Sequence, residues 1–217
     1  MPGYIMHVTF AKLVAEKLGI ESSNRYLAGS LIPDACTQSQ DKDKTIGHFA
    51  KRLNGLFKDP KLNIFLEKYG DLLADDIVLG IYSHLYLDKY FYSEFMYEIF
   101  EFYDKTMVNK KNGDKFSIWD EFFSKNGVYQ EYSAMNKMFI NDYDLDIDSL
   151  NFDIKELPDI TEFDYSKLKT FKERVIMFMK EKGRYTGKYI EYEQLKLFLE
   201  ELAARFANHI KDLKDKK

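Results

Sequence analysis

At 217 residues, with 45% hydrophobic and 31% charged residues, the chain has the balance of a folded globular body rather than a disordered or membrane-spanning one, and residues 1–217 are expected to form a single domain. The formal net charge of −4 excludes a broad basic surface, so nucleic acid is not the default partner and any polyanion would need a local cationic patch. No run of about eighteen apolar residues offers a transmembrane segment, the first residues lack the features of a signal peptide, and the lone cysteine, Cys36, fits a reducing compartment, so a cytoplasmic location is expected.

Apolar residues Met6, Phe10, Leu13, Val14 and Leu18 recur at three- and four-residue steps and predict an amphipathic helix that carries His7 near its start. Ser22 or Ser23 is expected to cap a second helix through Leu31, which Pro33 stops, leaving Asp34 just past a helix end. Residues 35–46 are polar and aperiodic and read as a surface loop leading to Gly47 and His48. A helix over Pro60–Tyr69 is closed by Gly70. The longest helix is expected from Leu72 to Lys105, buried along one side through Ile77, Ile81, Leu85, Phe91, Phe95 and Ile99 and forming the centre of the domain.

The run NKKNGD at 109–114 reads as a turn, followed by shorter helices over Phe116–Phe123 and Tyr129–Ile140. The acidic segment 141–164 is expected to be a long loop or a lid. Helices resume at Tyr165–Lys182 and Glu191–Leu213, separated by Gly183 and Gly187, and the lysine-rich end frays. With no repeat and no alternating run that demands a sheet, the expected fold class is all-α, a multi-helix bundle around a metal site.

The metal expectation rests on how the histidines are placed. Only four occur, and three lie in short motifs that contain an acidic residue or a turn. In SHLYLD, His84 and Asp88 are four apart and project from one helical face among apolar positions, where an unpaired charge costs several kcal/mol. Taken alone, the pair is better explained by mutual hydrogen bonding or by capping of neighbouring helices than by a metal. Asp34 and His48, on turn-like segments, add a carboxylate and an imidazole. Nitrogen and oxygen ligands together suit zinc, manganese or iron better than calcium or magnesium.

Taken in order, His7, YLAGSLIPD ending at Asp34, GHF with His48, and LGIYSHLYLD with His84 and Asp88 resemble the zinc-dependent phospholipase C family, which is related to the S1/P1 nucleases. The resemblance covers about residues 1–95. It implies a mostly helical fold with metal ions between helices, in which Asp34, His48, His84 and Asp88 ligate one ion and Asp88 bridges to a second that His7 also holds. It further implies that Asp34 orients or deprotonates an attacking water, and that the substrate is a phosphoester small molecule or a lipid headgroup. The chain departs from the family pattern between Lys89 and Phe95, where a further histidine is absent; Glu94, Glu98, Glu191 and Glu193 are the nearest substitutes in kind. Loss of that histidine favours an alternative, a non-catalytic metal-binding or sensing protein. An HD-type nucleotide phosphohydrolase is disfavoured by the absence of an adjacent His-Asp dipeptide. Tyr82, Tyr86, Tyr90, Phe91 and Tyr92 are expected mainly in core packing, and His209 as an ordinary helix residue.

Overall fold

A computed structural model describes residues 2–20, 24–53, 57–124, 127–146, 150–180 and 183–215; the caps expected at Ser22 or Ser23 lie outside them. Helix α1 spans Tyr4–Leu18 and ends where Gly19 turns left-handed at φ 65°. Two short helices follow, α2 over Asn24–Gly29 and α3 over Ile32–Ala35. Pro33 does not stop a helix. It sits in the first turn of α3, where a missing N–H costs nothing, so Asp34 lies inside a short helix and not beyond one.

The expected all-α class is corrected to a helix-rich fold with two small antiparallel sheets. In the first, β1 (Ala50–Leu53) pairs with β2 (Phe57–Pro60), with Ala50 opposite Pro60. Helix α4 (Leu62–Tyr69) then leads through a single 3₁₀ turn to α5, Asp76–Tyr90. The predicted long helix is shorter at both ends. Asp75 caps its start by accepting from the Ile77 and Val78 N–H groups, and after a π-helical turn at Phe91–Phe95 and helix α6 (Met96–Ile99) the backbone extends at Phe100. The second sheet follows, β3 (Phe100–Phe102), β4 (Thr106–Asn109) and β5 (Lys115–Ser117), with the expected 109–114 turn joining β4 to β5. The helix predicted over Phe116–Phe123 is therefore a strand end followed by a π-helical turn, Ile118–Phe122.

Helix α5 is buried all round and not along one side: every residue from Ile77 to Asp88 is inaccessible, because α1, α2, α3, α4, α9 and β2 all pack against it. The closest approach is to α2. A methyl group added at Gly80 would lie 2.2 Å from the Tyr26 carbonyl oxygen and 2.8 Å from the Ser30 nitrogen, and one at Gly29 would lie 2.4 Å from the Ile77 oxygen. Only glycine permits that backbone contact.

Helices α7 (Val128–Asp142), α8 (Leu168–Lys180) and α9 (Tyr192–Asp215) complete the chain. Between α7 and α8 the described residues of the acidic segment form a long loop, as one of the two expectations had it, and this loop is a strap tied to the body. Leu150, Phe152, Ile160 and Phe163 are buried, Phe163 bridges to Thr37, and the Asp164 N–H donates to the Cys36 oxygen at 2.8 Å. No helix is long and apolar enough to cross a membrane among the described residues.

Candidate metal centre

All five sequence-predicted ligands meet in one buried cluster. His84 and Asp88 project from adjacent turns of α5, His7 comes from the first turns of α1, Asp34 from α3, and His48 from the loop before β1; none is more than 5% exposed. The loop holding His48 is organised by a residue that sequence pattern did not single out. The buried Asp41 carboxylate accepts from the Thr45, Ile46 and Gly47 N–H groups at 2.8, 2.9 and 3.2 Å. Gly47 in turn passes close to the Phe163 ring, which would lie 3.1 Å from an added methyl group. The strap thus backs the His48 loop.

The orientation of His84 follows from the contact between α2 and α5. Its Nδ1 lies 2.7 Å from the Ser30 carbonyl oxygen. Since a carbonyl only accepts, Nδ1 carries the proton and Nε2 presents its lone pair, the arrangement found behind metal-bound imidazoles. The His84 Nε2 is 3.3 Å from His48 Nε2 and 3.7 Å from Asp88 Oδ2. His48 Nε2 lies 3.6 Å from both Asp88 Oδ2 and Asp34 Oδ1, while Asp88 Oδ1 faces His7 Nε2 at 3.5 Å. The His7 and His84 rings stack at 3.7 Å between centroids.

Those separations are long for hydrogen bonds. Both nitrogens of His7, Nδ1 of His48 and both oxygens of Asp88 are buried without a hydrogen-bond partner. Ligand atoms held 2.0–2.1 Å from a tetrahedral ion lie about 3.3 Å from one another, so the observed spacings fit groups that share a cation. Two triads are close enough to do so, His48 with His84 and Asp88, and His7 with Asp34 and His84, each with its ligand atoms within 4.8 Å. These sets divide the five residues differently from the family pattern. Because His84 Nδ1 is committed to Ser30, its single lone pair serves one ion at a time. Asp88, with one oxygen toward His7 and the other toward His48 and His84, is the residue able to bridge.

Burial pushes the His84 and His48 imidazoles below their ordinary range, which keeps them neutral and available as ligands. Burial would raise the Asp34 carboxyl, but His48 and the Lys44 ammonium, at 3.1 Å, hold it well below the usual carboxylate range. Burial likewise opposes ionisation of Asp88, and the His7 imidazole that faces it is foremost among the groups that outweigh burial and hold the carboxyl low.

The glutamates weighed as substitute ligands stand elsewhere. Glu94 pairs with Arg205 on the surface at 2.6 Å, Glu191 lies with Lys111, and Glu98 and Glu193 are exposed. His209 contacts Tyr82 Oη at 2.8 Å and packs on the Tyr86 ring, outside the five-residue cluster. Tyr82 stacks on Phe65 and Tyr86 packs on Phe206, as expected of core aromatics, whereas Tyr92, stacked on Phe57, also feels the Asp88 charge. No protein-family model, curated protein or solved structure matches the chain.

Proposed function

We propose that the protein is a metal-dependent hydrolase of phosphoesters that holds one or two divalent ions, zinc foremost with manganese or iron also suited, through His7, Asp34, His48, His84 and Asp88. The observation that carries the reading is the convergence of buried, partnerless nitrogen and oxygen atoms at ligand spacing. A divalent cation bound there supplies a Lewis acid for a phosphoryl oxygen and lowers the pKa of water from about 15.7 towards 7. Asp34 is the outermost of the five and is ionised, so it is the group placed to take the proton of an attacking water. As the water oxygen bonds to phosphorus the ester P–O bond breaks, the leaving oxygen takes a proton from solvent, and Asp34 returns its own.

The depth of the cluster favours one other reading, a closed structural or sensing site that catalyses nothing. The two part on a simple assay. Protein supplied with zinc or manganese is expected to hydrolyse p-nitrophenyl phosphate or its bis-ester, and Asp34→Asn to lose at least about 100-fold of that rate. Metal-loaded protein inert towards both esters would favour the sensing site and overturn the hydrolase.

A further inference from the structure

One cation pairs directly with a member of the cluster, in a chain whose formal net charge is −4. Lys44 reaches Asp34 Oδ1 at 3.1 Å with its side chain 33% exposed and that of Asp34 only 3%, so its ammonium stands where the buried ligands meet solvent. The backbone at Lys44 is left-handed, φ 53°, a conformation unfavourable for a residue with a Cβ. It is held by a 3.0 Å bond from the Lys44 N–H to the Asp41 oxygen, in the same turn whose Asp41 carboxylate anchors the approach to His48. One loop therefore aims both a candidate ligand and a cation. On α8, the Arg174 guanidinium lies 5.2 Å over the Phe171 ring, and Tyr4 packs edge-on against that ring at 5.0 Å. Tyr4, Lys44 and Arg174 are near enough to feel one another's charge, and Lys58 on β2 is within electrostatic reach of both Asp34 and Asp88.

We propose, resting on the hydrolase reading, that Lys44 is the substrate-positioning cation of this centre: with Asp34 committed to an ion, the Lys44 ammonium holds a non-bridging oxygen of a phosphate dianion, which makes phosphate monoesters the preferred substrates. Charge decides the class. One divalent ion balances the carboxylates of Asp34 and Asp88, and the field left is that of the cations within electrostatic reach, Lys44, Arg174 and Lys58, opposed by the single carboxylate of Asp41. A dianionic monoester gains more from that field than a monoanionic diester.

The test is calorimetry on the full chain, titrating zinc and then inorganic phosphate into the zinc-loaded protein, for the wild type, Lys44→Ala, Lys44→Arg and the exposed control Lys211→Ala. Lys44→Ala removes a cation that competes for Asp34, so zinc is expected to bind at least as tightly as in the wild type, while phosphate weakens by at least about 10-fold, the loss of one charge-assisted hydrogen bond. Lys44→Arg should keep most of the phosphate affinity, and Lys211→Ala should match the wild type in both titrations. Vesicles containing phosphatidate that sediment the protein only when Lys44 is present would place the monoester on a lipid; phosphate binding without such sedimentation would place it on a soluble molecule. Equal phosphate affinity in wild type and Lys44→Ala, or a joint loss of zinc and phosphate, overturns the role of Lys44 alone. A wild type that binds no zinc overturns the hydrolase reading together with it.

Discussion

His48 and His84 are held neutral by burial, and Asp34 and Asp88 are held ionised by the cations and imidazoles around them. Both effects make the metal-free protein acid-sensitive, but in different windows, the histidines just below neutrality and the carboxylates only in stronger acid. A histidine whose folded pKa is depressed contributes stability that is full above its unfolded value of 6.5 and is lost as pH falls below it. A depressed carboxylate contributes stability that is full above 3.8 and is lost as pH falls through its folded value. The melting temperature of chelator-treated protein is therefore expected to drop steadily from pH 7.5 to pH 5, and a flat profile over that window would contradict the burial argument. The five ligand candidates were legible because histidines are few and stand at fixed offsets from acidic residues or turns. Ser30, Asp41 and Lys44 were not. Ser30 acts through its carbonyl oxygen, which every residue type possesses, Asp41 acts through a turn that has no helical or strand period, and Lys44 is one of two lysines in its loop, with Lys42.

At the scale of elements, the centre depends on how closely α2 and α5 approach. The Gly29 and Gly80 contacts bring the Ser30 carbonyl to His84 Nδ1, so His84 keeps its orientation only while the helix backbones touch. Gly80→Ala sets a methyl group against the backbone of Tyr26 and Ser30. It is expected to cost about 1–3 kcal/mol of stability, as overpacked cores do, and to weaken metal binding by about 10–100-fold, as loss of a supporting hydrogen bond does. Denaturant unfolding and a zinc titration would check the two effects separately, and a stable variant with unchanged zinc affinity would refute the coupling. Helices α1 and α5 were legible in outline from apolar spacing, and α4, α7, α8 and α9 from the turn, proline and glycine signals that bound them. The sheets were not, because strands of three or four residues such as Phe100–Phe102 and Lys115–Ser117 are too short to show an alternating period. For the first hairpin a local signal did exist: the dipeptide Asn54-Gly55 between apolar neighbours is a strong hairpin cue. Pro33 was misread since proline is as well suited to a first helical turn as to a helix stop.

For the molecule as a whole, a central helix sheathed by other elements carries two ligand candidates, and the remaining three arrive from its wrapping. His7 is brought by α1, Asp34 by α3, and His48 by a loop braced from behind by Phe163 of the strap. This explains why the full burial of α5 escaped a periodicity argument. The continuous apolar run LGIYSHLYL fits a helix enclosed on all sides as well as one buried along a stripe, and only the packing partners distinguish them. A shared cation would let five polar side chains occupy such a core, by satisfying atoms that otherwise each carry a desolvation cost of several kcal/mol. The most direct measurement is elemental analysis of protein purified without added metal or chelator, alongside His84→Ala and Asp88→Ala. The account predicts stoichiometric divalent metal in the wild type and its loss in both variants; wild-type protein that holds no metal even after reconstitution with zinc, manganese or iron would contradict it.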